Sequence, residues 1–226
     1  MLRNFIAAAL AAVSVQASAG LMPGTDTTVR MQGFSHGHAN VDVTIDNFGN
    51  IGAGQFLGTI DGTSFLTYCT DLYQSFGWGR DYTYTLVDNG STHGFTPGQA
   101  DHLGKLYTAA GGDATNTTDS VAFQLAVWEI LYDSTPGSVT AGDFRLLSGG
   151  TAAQRSRADA WLATVLDPSA TSAFSAQRLY SSVAQDFLVF TPLPPLRQPP
   201  PGVPEPAGLG MVALALGLLY LTRRRT

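Results

Sequence analysis

Asp119-Ser-Val-Ala-Phe-Gln-Leu-Ala-Val-Trp-Glu-Ile-Leu-Tyr-Asp133 is the stretch on which the fold turns. At 100° per residue, Val121, Gln124, Leu125, Trp128, Leu131 and Tyr132 fall on one arc, the period of a helix and not of a strand. Asp119 is the expected N-cap, and Pro136 lies just past the expected stop. Set in a chain whose first half alternates like strands, this helix and two others make the class α+β. Gln124 sits in the middle of the apolar arc. A buried carboxamide without partners is costly, so Gln124 is expected either to be fully hydrogen-bonded or to take part in chemistry.

Working outward, the residues before Thr96 read as strands. Asn40-Val-Asp-Val-Thr-Ile-Asp46 is the cleanest period-two run, with Val41, Val43 and Ile45 on one face and a turn at 46–50. Similar runs cover 27–34, 39–45, 55–60, 64–70 and 82–87. Pro97 to Ala110 reads as a helix stopped by Gly111-Gly112, and 152–166 as another, with Ala160, Trp161, Val165 and Leu166 inward. Strand pattern returns at 175–181 and 186–190. The expected architecture is an antiparallel β-sandwich-like sheet with an inserted section of two to three helices.

The two ends carry addressing signals. A basic start at Arg3, an apolar run over 5–15 and the Ala17-Ser18-Ala19 cleavage pattern predict a signal peptide over 1–19, with Gly20 opening the mature chain through signal peptidase. The secreted domain is then expected over 20–190 and a proline-rich, extended linker over 191–202. From 203 to 226 come Pro204-Glu205-Pro206, an uncharged run from Ala207 to Leu221 and the terminal Arg223, Arg224 and Arg225. As a helix the uncharged run is about 22 Å long, short of a hydrocarbon core of roughly 30 Å unless arginines snorkel at its end. The arginines act as a stop-transfer signal that keeps that end in the cytoplasm.

This tail resembles the PEP-CTERM sorting signal of Gram-negative bacteria. The resemblance implies an exosortase as processing partner, transient residence in the inner membrane through a C-terminal membrane-tail helix, and delivery to the cell surface or extracellular matrix. Processing also changes the charge. Losing Arg3 and the three terminal arginines takes twelve basic residues to eight against seventeen acidic ones, a net −9 in place of −5. A chain that acidic is a poor partner for nucleic acid.

One cysteine, Cys69, occurs in the whole chain. In an exported protein a lone thiol cannot form an internal disulfide, so its presence calls for burial or for chemistry. Phe123-Gln124-Leu125-Ala126-Val127-Trp128 and Tyr68-Cys69 together resemble the paired motifs of bacterial thioester domains, best known from surface adhesins. The resemblance implies an internal thioester between Cys69 and Gln124, formed as the thiol attacks the carboxamide and expels ammonia. It further implies an environment of Tyr68, Asp71 and Trp128 around that bond, and later capture of a surface amine or polysaccharide target. Such a protein is an adhesion or matrix module and no turnover enzyme, and it needs no cofactor. The alternative is a non-covalent structural or glycan-binding protein of a biofilm matrix.

Weaker constellations complete the reading. His36-Gly-His38 pairs two imidazoles without the carboxylate or cysteine of a recognisable metal set, so no metal is expected. Cys69 with His93 or His102 lacks the surroundings of a thiol hydrolase. Trp78, Tyr82 and Tyr84 suit stacking on a sugar or simple packing.

Overall fold

The computed structural model describes residues 21–194. The expected signal peptide (1–19), most of the expected linker and the expected sorting tail (203–226) fall outside the described residues. Among those described, no helix is long and apolar enough to cross a membrane.

The chain is α+β, with nine strands and three helices among the described residues. In order these are β1 (Asp26–Phe34), β2 (Ala39–Val43), β3 (Ile51–Ala53), β4 (Phe56–Ile60), β5 (Thr63–Thr67), β6 (Asp81–Val87), α1 (Pro97–Ala110), α2 (Thr117–Tyr132), β7 (Leu146–Gly149), α3 (Ala152–Val165), β8 (Phe174–Tyr180) and β9 (Phe187–Pro192). Six strands form one antiparallel sheet in the order β5-β4-β1-β6-β8-β9, and three form a second, β3-β2-β7.

Local chemistry sets the register. β4 and β5 are joined by Asp61-Gly62, both at positive φ, and Ile60 pairs with Thr63 across this two-residue turn. The Asp61 carboxylate is held by Thr27 Oγ1 at 2.6 Å and the Thr28 N–H at 2.8 Å, which ties the turn to β1. The six-stranded sheet does not stay open. Its edge strands β5 and β9 meet at a bridge between Cys69 and Phe187. There the Leu188 N–H donates to the Tyr68 carbonyl and the Thr70 N–H to the Asp186 carbonyl, each at 3.0 Å. The antiparallel sheets and three helices fit the expected α+β class, and this bridge pairs groups at the two edges of the large sheet that would otherwise face solvent.

The helices keep most of their expected bounds. α1 begins at Thr96, whose side chain and Gln99 form a capping box, and ends at left-handed Gly111. α3 likewise has a capping box, from Thr151 and Gln154. Four expectations need correction. α2 is capped by Asn116, whose side chain accepts from the Asp119 N–H, so Asp119 lies in the first turn. α2 is also not amphipathic: every residue from Ser120 to Ile130 is buried, as befits a helix enclosed on all sides. In α3, Ala158 is buried with Trp161 and Val165, while Ala160 and Leu166 are exposed. The run at 39–45 stops as strand at Val43 because Asp46 and Asn47 turn left-handed.

Candidate functional site

Cys69 lies on the seam where the large sheet closes and is only 1% exposed. Backbone groups in a strand point alternately to either side. At this seam the groups of Tyr68 and Thr70 serve β9, and those of Cys69 point toward α2. Gln124, fully buried near the middle of α2, meets them. Its Oε1 accepts from the Cys69 N–H at 2.8 Å, and its Nε2 donates to the Cys69 carbonyl at 2.9 Å. The buried carboxamide is thereby satisfied on both atoms, the first of the two outcomes its position called for.

The thiol has a different partner. Gln185 Nε2 donates to Cys69 Sγ at 2.8 Å, a short approach for sulfur, and to the Asp71 carbonyl at 3.0 Å. The Cys69 thiol itself donates to the Asp71 carbonyl at 3.1 Å. Sharing that carbonyl fixes which way the Gln185 amide faces. The Tyr84 hydroxyl holds the Gln185 main-chain carbonyl at 2.7 Å. Two carboxamides thus flank Cys69: Gln124 on its backbone and Gln185 on its sulfur.

Burial pushes the Cys69 thiol up to about 12, against the opposing pull of Trp128 and of the Asp71 main chain. The indole N–H of Trp128 lies beside the sulfur, where it favours the thiolate without reaching full hydrogen-bond geometry. A thiol so placed is almost entirely protonated near neutral pH, roughly one in 10⁵ being ionised at pH 7. It resists oxidation and metal capture. Its opportunity lies in proximity to one carboxamide rather than in general reactivity.

The other residues named from sequence divide between near and far. Asp71 contributes its main-chain carbonyl, while its carboxylate caps the Tyr73 N–H at 2.8 Å. Tyr68 turns away, its ring against Phe123 at 4.3 Å between centroids and lining a small cavity with Asp113 and Ala114. His36 meets the Ser35 hydroxyl at 3.1 Å, whereas His38 stacks on Phe34 at 4.2 Å. Among the described residues no cluster of three or more His, Cys, Asp or Glu is arranged to hold a metal. Tyr84 is buried and Tyr82 bonds the Gly77 N–H, so of the three aromatics only Trp78, 49% exposed, offers a free face.

Two neighbours of Cys69 escape a sequence reading. Tyr132 accepts from the Leu72 N–H at 2.9 Å and donates to the Thr70 carbonyl at 3.2 Å, latching the turn after Cys69 onto α2. Gln185 sits in a polar stretch just ahead of β9, 116 positions from Cys69, and nothing local distinguishes it. Only the apolar run that follows, paired across the seam, could have pointed to it. Comparison of the chain with family models, with curated proteins and with solved structures gives no match.

Proposed function

We propose that the domain forms an internal thioester between Cys69 Sγ and the side-chain carbonyl carbon of Gln185, and uses it to attach an exported protein covalently to a target. The contact between the Gln185 amide and the Cys69 sulfur carries this reading. The S–C bond forms, the C–N bond breaks, and the amide nitrogen leaves as ammonia with the thiol proton. Exclusion of water from a buried seam favours bond formation over hydrolysis. The high thiol pKa slows the attack, which proximity has to offset, but it protects the finished bond, since so basic a thiolate is a poor leaving group to water. In this reading Gln124, which the resemblance makes the electrophile, is the clamp that holds the Cys69 main chain. The signal peptide and PEP-CTERM-like tail support an address at the surface or matrix of a Gram-negative bacterium, with exosortase and signal peptidase as processing partners.

Intact mass of the mature protein tests the proposal. A mass light by one ammonia, restored with addition of methylamine, is expected. It should persist in a folded Gln124→Ala protein and vanish in Gln185→Ala; loss in the first and retention in the second would return the electrophile to Gln124. A full mass in the wild type, with a thiol alkylated on unfolding, would overturn the thioester altogether. One observation favours a second reading, non-covalent glycan binding: the half-exposed Trp78 beside polar side chains.

A further inference from the structure

Gln185 forms part of the wall of an open groove of about 400 Å³. Its walls carry an aromatic group in which Trp78 lies 4.8 Å from Phe76 and 5.5 Å from Phe34, centroid to centroid. Polar side chains, Asn40, Gln74 and Ser75 with the His38 ring, complete it. The lining contains no carboxylate, lysine or arginine. Among the described residues the side chains of Asn40 and Ser75 and the ring nitrogens of His38 form no hydrogen bonds within the protein, so they are free to meet a ligand.

We propose that this groove receives the nucleophile that opens the thioester, and that its occupant is a neutral carbohydrate attacking through a hydroxyl. The inference rests on the Cys69–Gln185 thioester. A sugar presents an apolar C–H face to an aromatic ring and a rim of donors and acceptors to amides and hydroxyls, the two surfaces this groove offers. A lysine ammonium would shed hydration on entry, and the lining supplies no carboxylate to receive its charge. The hydroxyl oxygen bonds to the former Gln185 carbonyl carbon as the C–S bond breaks. The hydroxyl proton ends on the Cys69 sulfur, so thioester and alcohol become ester and thiol. The His38 ring lines the same groove, and an imidazole can accept a proton at one nitrogen and give it up again, which suits it to carry that proton.

The test offers the purified mature protein three probes in separate reactions, each followed by intact mass. They are methylamine, an equal mixture of maltoheptaose, cellohexaose and chitohexaose, and Nα-acetyl-lysine methylamide. An oligosaccharide adduct is expected, cleaved by neutral hydroxylamine as an ester should be, forming faster than the lysine adduct at equal concentration. Trp78→Ala is expected to lower the ratio of oligosaccharide to methylamine coupling about tenfold. Methylamine uptake without any oligosaccharide adduct would overturn the acceptor and leave the thioester standing. Faster coupling of the lysine compound, or an unchanged ratio in Trp78→Ala, would do the same. Failure of methylamine itself to add would overturn the thioester and the acceptor with it.

Discussion

Gln124 binds Cys69 as a neighbouring strand would, one side-chain amide accepting from its N–H at 2.8 Å and donating to its C=O at 2.9 Å. A helix side chain thus completes the ladder at a position where the second neighbouring strand is missing. Gln124→Ala leaves two buried main-chain groups unpaired, and the expected loss of stability is roughly 2–5 kcal/mol. Urea unfolding checks it, and a change below about 1 kcal/mol would mean that water or a shifted strand takes over.

A Cys69–Gln185 bond would close a loop between positions 116 apart in sequence. Crosslinks over loops of this size restrict the unfolded chain and contribute about 5 kcal/mol in the loop-entropy picture. Methylamine, which cuts the crosslink while leaving the fold intact, should therefore lower the melting temperature of the wild type. The Gln185→Ala protein should show no response to the same treatment.

Tyr132→Phe removes the hydroxyl that joins the Leu72 N–H to the Thr70 carbonyl. The expected cost is about 1–3 kcal/mol, because both partners lose a bond in a part-buried setting. Loosening this turn should also speed alkylation of the Cys69 thiol in a Gln185→Ala background. Iodoacetamide rates on the single and double variants measure it, and equal rates would separate the latch from the thiol.

Glu129 is buried on α2 with Oε1 accepting from Gly137 and Ser138, at 2.9 and 3.1 Å, and Oε2 without a partner. Burial raises its carboxyl to about 7 from an ordinary 4.5, and burial also raises Asp186 to about 6 from 3.8. A raised acid favours the protonated fold, so its contribution is complete below the unfolded value and is lost as pH climbs through the folded one. Denaturation midpoints should fall between about pH 4.5 and pH 7.5. Glu129→Gln should flatten much of that fall, since an amide keeps both accepted bonds and cannot ionise.

Two glycines of α1 should answer alanine with opposite signs. Gly98 has open space where a Cβ would go, and helix propensity favours alanine there by up to about 1 kcal/mol. At Gly104 the same methyl would run into the Phe174 carbonyl and the Ser172 hydroxyl, where α1 crosses the start of β8. Overpacking of this kind costs about 1–3 kcal/mol. Thermal melts of the two variants on either side of the wild type would bear this out.

Gly104 shows why some of the fold was legible and some was not. Caps, stops and strand alternation are local, so the bounds of α1 and the turn after β2 at 46–50 could be read from neighbours in sequence. The all-round burial of α2 depends on what encloses it. Short β3 and β7 gain their identity only by pairing with β2. Cys69 and Gln124 stood out because a lone thiol and a glutamine in an apolar arc are chemically out of place. Gln185 sits among polar neighbours, and its meeting with Cys69 follows from how two distant edges close.

That seam has a mechanical consequence. A target held through the Gln185 side chain would be separated from the end of the folded domain at Leu193 by little more than β9. Tension between target and linker would then run along a single strand, loading its hydrogen bonds to β8 and its few bonds across the seam. The helices and the remaining strands would stay off the line of force. Attachment through Gln124 would instead draw the pull through the middle of the core. The choice of carboxamide therefore also decides which part of the molecule must bear the load.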